Sequence, residues 1–309
     1  MTTRGRAVGV IGCGAVGQAV GGALVASGLC DLLLLASRAR EQAEALATDL
    51  DDMRAALGSP AWPRAAEVAA LRRCDAVVVA VRAQFANTRS VDIRMGGARA
   101  NAPVIRDLAA QLADYPGTVL MVTNPVDLTT RLFAEESGCP RVFGIGSSLD
   151  TARYRHSLAR HLQVPVHAVQ GHVIGEHGDN AVVCASSTTV HGRLAACVPL
   201  QKIRSELAAR PGRISAGIGR TRSGPAGAVL SALRLALGAA DGLIELSTQY
   251  SGGYLGIPLR FSGGVPRPCM PSLNDVETEQ LREACSKLRA AYQGLRETFP
   301  DPLLPVRNP

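Results

Sequence analysis

The sequence predicts an α/β protein in which a doubly wound parallel sheet is followed by a second, α+β domain. In the first half of the chain, short apolar runs alternate with longer amphipathic or alanine-rich segments, which is the pattern of repeated β-α-β units. In the second half, strand-like and helix-like segments follow one another without that alternation. These two observations predict one domain over 1–147 and another over 148–309.

Four apolar runs in the first half predict buried parallel strands. They have the length and the valine- and leucine-rich composition of strands covered on both faces. They span Ala7–Ile11, Leu32–Ala36, Ala76–Val81 and Thr118–Val122. Helix-like segments separate them near residues 15–27, 40–56 and 99–113. In a sheet of this type, ligands bind outside the carboxyl ends of the strands.

The second half predicts a mixed set of elements. Strand-like pieces lie near 164–174 and 180–190 and lead into a helix near 200–210. A long alanine- and leucine-rich helix follows Pro225, and a hairpin-like stretch rich in glycine and proline spans 251–273. A charged helix with apolar periodicity, from Val276 to Leu295, closes this part of the chain.

Composition excludes several classes of protein. The formal net charge is +7, but the basic residues are dispersed and aromatic residues make up only 4% of the chain, so we expect no nucleic-acid partner. No window holds roughly eighteen uninterrupted apolar residues, so we expect no membrane span. The amino terminus lacks a secretory pattern, and the eight cysteines form no CxxC pair. We therefore expect a cytoplasmic protein with reduced thiols and no metal site.

A glycine motif lies at the end of the first predicted strand. Gly12, Gly14 and Gly17 form GxGxxG, with Cys13, Ala15 and Val16 between them, at the point where a helix begins. Such glycines permit a tight turn, close approach of the backbone to a pyrophosphate, and close packing of helix on strand. The strand–turn–helix context predicts a dinucleotide site of the Rossmann type in these six residues. The alternative is a tight turn without a ligand.

The end of the second predicted strand favours NADP over NAD as the cofactor. NAD-binding proteins of this fold carry an acidic residue about 20 residues beyond the motif. This chain instead has Ser37, Arg38 and Arg40 there. A serine hydroxyl and an arginine fork can both bind a 2′-phosphate, which an aspartate would repel. The alternative is a pair of surface arginines in an arginine-rich chain.

Four further segments resemble the lactate/malate dehydrogenase family, in family order and over nearly the whole chain. They are the TNPVD segment beginning at Thr123, the LDxAR segment beginning at Leu149, the GEHGD segment beginning at Gly175, and Gly219-Arg220-Thr221. The resemblance implies a dehydrogenase that acts on the CH–OH group of a 2-hydroxy acid. Together with the residues after the second strand, it predicts an NADP-dependent enzyme. It also implies a homodimer or homotetramer.

The chemistry of these residues fits that implication. Reduction of a 2-keto acid needs a proton donor at the carbonyl oxygen, for which His177 is suited near neutral pH. The resemblance assigns Asp150 as its carboxylate partner. Arg153, three residues later, is suited to bind the substrate carboxylate through two parallel hydrogen bonds. The resemblance places Asn124 beside both the nicotinamide and the substrate. Each residue alone would have an ordinary structural explanation; their joint occurrence favours the catalytic one.

The resemblance also points to a loop that closes over the substrate. Counting back from Asn101 places Arg94 at the position of an arginine that polarises the carbonyl. Arg89 could bind a second anionic group of the substrate, although its spacing differs by one residue from the malate pattern. Thr221 matches a substrate-flanking residue of lactate-type members, whereas Pro225 matches the malate pattern.

These features leave the substrate open within one class, the small anionic keto or hydroxy acids. A malate-like substrate of the oxaloacetate type comes first, with an unusual keto acid of specialised metabolism as a variant. Alternatives are a lactate-type dehydrogenase for monocarboxylic acids, an enzyme that reduces another C=O or C=N group, and a non-catalytic NADP-binding regulatory protein.

Overall fold

The computed structural model describes residues 5–84 and 93–299. Its strands are β1 (Ala7–Ile11), β2 (Leu32–Ala36), β3 (Trp62–Ala65), β4 (Ala76–Val79), β5 (Thr118–Met121), β6 (Val142–Gly144), β7 (Val169–Gln170), β8 (Val173–Gly175), β9 (Ala181–Val183), β10 (Thr189–Val190), β11 (Arg193–Leu194), β12 (Gly242–Tyr250), β13 (Gly253–Ser262) and β14 (Val265–Pro268). Its α-helices are α1 (Ala15–Ser27), α2 (Arg40–Leu57), α3 (Ile93–Gln111), α4 (Val126–Ser137), α5 (Ser147–Leu162), α6 (Leu200–Ile218), α7 (Ser223–Ala236) and α8 (Asp275–Arg296).

The first six strands form the predicted doubly wound parallel sheet. Their order is β3-β2-β1-β4-β5-β6, and each neighbouring pair is parallel. From β1 the chain moves outward to β2 and β3, and then returns to the other side of β1 to form β4. The winding therefore reverses between β1 and β4, which opens a crevice at the carboxyl ends of these two strands.

The sheet continues beyond β6 through antiparallel strands from the second half of the chain. The order β6-β12-β13-β8-β9 is held by pairs such as Ser247 with Gly144 and Gly256 with Gly175. This continuation brings the carboxyl end of β8 near that of β6. The predicted division at residue 147 remains a prediction, since the sheet itself crosses it.

Local sequence explains where several elements begin and end. Strand β4 ends at Val79, although the apolar run continues to Val81. The Val79 carbonyl still accepts a backbone N–H, that of Val122, whereas the Val81 carbonyl accepts from the side-chain hydroxyl of Thr123. Helix α8 begins at a capping box in which Asn274 and Glu277 each accept the other's backbone N–H. Across the described ranges, no helix is both long and apolar enough to cross a membrane.

The structure differs from the sequence prediction mainly in α6 and α7. Helix α6 continues past the predicted end near residue 210 to Ile218. Pro211 lies inside the helix and has no backbone N–H to donate, but it does not end the helix. Helix α7 ends at Ala236, and the chain then forms the long strand β12, which the sequence analysis did not predict.

Candidate active site

The glycine motif forms a turn that only glycine fits. Gly12 has φ +101°, and a Cβ built there would lie 2.7 Å from the carbonyl oxygen of Ala80 on the neighbouring strand connection. A Cβ on Gly17 would lie 1.8 Å from the Gly12 oxygen, whereas one on Gly14 would meet nothing within 4 Å. The turn therefore packs tightly against the sheet and leaves open space at Gly14.

That open space lies at the amino terminus of α1. Gly14 is the N-cap residue, and no side chain caps the helix. The backbone N–H groups of the first turn, which includes Ala15 and Val16, have no partner within the helix. They also carry the positive end of the helix dipole. Cys13 is buried with its thiol against the Ala36 carbonyl, so it shapes the turn from the side of the sheet. The donor set suits the pyrophosphate of a dinucleotide.

The three residues predicted to bind the adenosine ribose differ in their partners. Ser37 directly follows β2, is half-buried and donates its hydroxyl to Gln42 over 2.7 Å. Arg38 is exposed and forms no ion pair with the residues described. Arg40 lies 2.8 Å from Glu44 and 3.2 Å from Glu67, so its guanidinium is already engaged. Arg38 is therefore the better candidate for contact with a 2′-phosphate.

The structure brings together the three side chains that the sequence analysis placed at the chemical centre. His177 Nδ1 lies 2.6 Å from Asp150 Oδ2, and Arg153 Nη1 donates to Asp150 Oδ1 over 3.3 Å. One carboxylate thus holds both the imidazole and the guanidinium. All three side chains are largely buried, with exposed fractions of 21% for His177, 15% for Asp150 and 10% for Arg153.

The surroundings of His177 favour its protonated form. Burial works against the charged imidazole and is the largest single influence on it. The hydrogen bond and charge of Asp150, helped by the charge of Asp127, outweigh burial and the repulsion from Arg153, and so raise the pKa of His177 above its usual value. The site therefore favours the protonated ring more than water does, and Nε2 is the ring nitrogen not bonded to Asp150.

Packing fixes the position of the imidazole. A Cβ on Gly146 would lie 2.6 Å from the Cβ of His177, so only glycine lets the ring approach the start of α5. The Thr151 hydroxyl pairs with both the N–H and the carbonyl of Val173, over 2.9 and 3.3 Å, and ties α5 to β8. Asp150 lies on α5, and His177 lies in the turn that directly follows β8, so this contact helps to hold the two side chains together.

A second carboxylate, which the sequence analysis quoted only as part of TNPVD, lies against His177. Asp127 Oδ2 accepts the backbone N–H of His177 over 2.8 Å, and its side chain is only 3% exposed. Burial raises the pKa of Asp127 to about 6, although Ser247 and His177 oppose the shift. The contact joins residues 50 positions apart in the sequence, so no local pattern could have revealed it.

Asn124 lies at the carboxyl end of β5, beside the crevice. Its side chain is exposed, and its carbonyl accepts from the Asn101 amide over 2.9 Å. Asn101 Oδ1 in turn accepts the backbone N–H of Ala83 over 2.7 Å. Asn101, used above only to align the loop, thus fastens the segment after β4 to the segment after β5.

The remaining predicted residues divide into one that is described fully and two that are not. Thr221 is half-buried between α6 and α7. A Cβ built on Gly224 would lie 3.8 Å from the Thr221 hydroxyl and 3.3 Å from Leu149, the residue before Asp150. Arg94 lies in the first turn of α3, where only the backbone is described, and Arg89 lies outside the described residues. The proposed roles of both arginines remain predictions.

Comparisons with known proteins support the resemblance found in the sequence. The sequence model of lactate/malate dehydrogenase, NAD binding domain, matches residues 6–144. An L-lactate dehydrogenase of Thermus aquaticus is 33% identical over 310 residues, covering 93% of this chain and 99% of that protein. An L-lactate dehydrogenase of Salinibacter ruber is 31% identical over 321 residues, covering 92% of this chain and 96% of that protein.

Solved structures confirm the predicted fold class. The lactate dehydrogenase of Cryptosporidium parvum, complexed with lactic acid and nicotinamide adenine dinucleotide, has a TM-score of 0.87 at 23% identity, covering 97% of this chain and 100% of that chain. The malate dehydrogenase of the same organism has a TM-score of 0.85 at 24% identity, covering 94% of this chain and 99% of that chain. At these identities the likeness establishes the fold alone.

Proposed function

Because this chain belongs to the lactate/malate dehydrogenase family, we propose that it is a 2-hydroxy acid dehydrogenase. The reaction is hydride transfer between a nicotinamide dinucleotide and the second carbon of a small 2-keto or 2-hydroxy acid. The observation that carries the proposal is the shared carboxylate of Asp150, which bonds His177 through one oxygen and Arg153 through the other.

Each of these side chains has a role in the reduction. Arg153 binds the substrate carboxylate with its planar fork. His177 donates the proton on Nε2 to the carbonyl oxygen, and Asp150 stabilises the charged ring and fixes its orientation. The nicotinamide, when bound, supplies the hydride to the carbonyl carbon. The product is a 2-hydroxy acid, and the neutral imidazole regains its proton from solvent.

Other predicted residues complete the site in this proposal. Asn124 contacts both nicotinamide and substrate, Thr221 flanks the substrate, and Arg94 polarises the carbonyl. The motif from Gly12 to Gly17 holds the pyrophosphate. Residues 1–147 then serve as the dinucleotide-binding domain and 148–309 as the catalytic domain, in a homodimer or homotetramer.

For the substrate, the comparisons favour the lactate-type alternative over the malate-like substrate that the sequence analysis put first. The two relatives at or above 31% identity described above are both named L-lactate dehydrogenase. Thr221, which matches the lactate-type pattern, supports the same choice. We therefore take pyruvate and substituted pyruvates as the first substrates to test.

For the cofactor, we propose that NADPH is used at least as well as NADH. The matching family model is described as NAD binding, which supports a nicotinamide dinucleotide without selecting the phosphorylated form. Arg38 is exposed and has no ion-pair partner among the described residues, and no acidic residue occupies positions 37–40 directly after β2; both observations support NADP. Replacing Arg38 with Ala should lower kcat/KM for NADPH about tenfold and leave that for NADH nearly unchanged.

A panel of keto acids, each assayed with NADH and NADPH, tests the proposal. We expect oxidation of the reduced cofactor with at least one 2-keto acid, and no oxidation with matched aldehydes that lack the carboxylate. Equal rates with and without the carboxylate would contradict the assignment of Arg153. A strong NADH preference in the wild-type protein would contradict the assignment of Arg38.

A further inference from the structure

Helix α6 runs alongside α5 towards the catalytic side chains. The Ser157 hydroxyl of α5 donates to Glu206 of α6 over 2.5 Å. Beyond the end of α6, a Cβ built on Gly224 would lie 3.3 Å from Leu149, at the start of α5. The two helices are therefore antiparallel, and the second half of α6 passes the first turns of α5.

This arrangement brings Arg210 close to Arg153. Arg153 precedes Ser157 by four residues and Arg210 follows Glu206 by four, so each arginine shares a helix face with one member of that pair. Arg210 is half-buried. The charge of Arg210 also acts on Arg153: burial lowers the pKa of Arg153, Arg210 lowers it further, and Asp150 opposes both.

Arg210 forms no ion pair with a carboxylate of the described residues. Within 4.0 Å it has no acidic partner among residues 5–84 and 93–299, and the same holds for its neighbours Arg213, Arg220 and Arg222. Glu206, the nearest acidic residue along α6, is already bonded to Ser157, Arg160 and His161. A substrate with one carboxylate would satisfy Arg153 alone and leave the second guanidinium beside it unpaired.

We propose that Arg210 is a specificity-determining residue, which binds a second anionic group of the substrate while Arg153 binds the first carboxylate. The inference rests on the proposed function and narrows its substrate class. The inferred substrate is a substituted pyruvate whose third carbon carries a carboxylate or a phosphonate, and not the unsubstituted pyruvate of a lactate-type enzyme. Both groups offer the oxygen atoms that a guanidinium binds in pairs.

The test compares four substrates in wild-type protein, Arg210→Gln and Arg210→Lys. Oxaloacetate and phosphonopyruvate carry the second anion, and pyruvate and 2-oxobutyrate do not. Arg210→Gln should lower kcat/KM for at least one of the first two about 10- to 100-fold and change the values for the last two less than about threefold. Arg210→Lys should recover part of the loss. The substrate with the larger loss identifies the anionic group.

Arg213→Gln is the matched control, since it removes the same charge from an exposed position one turn further along α6. It should leave all four values unchanged. Equal losses on all four substrates in Arg210→Gln, or a wild-type preference for pyruvate over both anionic substrates, would overturn the inference while the proposed function stands. Absence of turnover with every 2-keto acid would overturn the function itself, and the inference with it.

Discussion

Replacing Asp150 with Asn removes the charge that holds His177 protonated while keeping the size of the side chain. Hydrogen bonds to charged groups contribute about 1.5–3 kcal/mol. Losing this 2.6 Å contact removes that stabilisation of the protonated ring, so the pKa of His177 should fall. An amide also presents a donor or an acceptor to Nδ1, so the ring can take the wrong tautomer. We expect kcat/KM for keto-acid reduction to fall about 100-fold near neutral pH.

The assay is the pH profile of kcat/KM in the reductive direction. Reduction needs protonated His177, and its raised pKa keeps activity high until the pH rises through that value. In Asp150→Asn the basic limb should move to lower pH, because the carboxylate that raises the pKa of His177 is gone. Asp107→Asn, on the exposed face of α3, controls for loss of a carboxylate elsewhere and should leave the profile unchanged. An unmoved basic limb in Asp150→Asn would refute the reasoning.

Two further predictions concern the glycine turn and the second carboxylate. Gly17→Ala should destabilise the protein by several kcal/mol in thermal unfolding and abolish cofactor binding, since its Cβ would overlap the Gly12 oxygen. Gly22→Ala is the control: its Cβ would meet only a sulfur at 3.9 Å, so it should be neutral or stabilising by up to about 1 kcal/mol. Because burial raises the pKa of Asp127 from 3.8 to about 6, the folded state binds its proton more tightly, and wild-type stability falls as pH rises through that window. The free energy of unfolding should fall by about 3 kcal/mol in the wild-type protein, and this loss should be absent in Asp127→Asn. Urea unfolding at about pH 4 and about pH 7 measures it. Equal losses in both proteins would contradict the prediction. The same variant should move the basic limb of His177 to lower pH, by less than Asp150→Asn does.

The sequence predicted the parallel sheet well because its signals are local. The strands β1 and β2 have the predicted bounds, since each is a continuous apolar run between turns. Strand β3 was not predicted, because Trp62–Ala65 contains a proline and an arginine and lies at the edge of the sheet. Strand β12 was not predicted, because only residues 237–241 separate it from the apolar helix α7.

The site was predicted where a motif carries the residue and missed where only tertiary contact does. Asp150, Arg153 and His177 lie in segments that match a family pattern, and the structure brings them together. Asp127 contacts an element that is distant in sequence, and the role proposed for Arg210 also depends on such a contact. Asp127 depends on the backbone of a loop 50 residues away, and Arg210 depends on the register between two helices. Periodicity and propensity carry no information on such contacts.

Single-turnover reduction of a 2-keto acid by His177→Gln tests the central claim most directly. Protein saturated with reduced cofactor is mixed with the best substrate of the wild-type protein, and cofactor oxidation is followed. If His177 donates the proton, the rate constant should fall about 100- to 10,000-fold while the affinity for the cofactor, measured by fluorescence titration, stays within about twofold. A rate constant within about tenfold of the wild-type value would contradict the assignment of His177 as the proton donor.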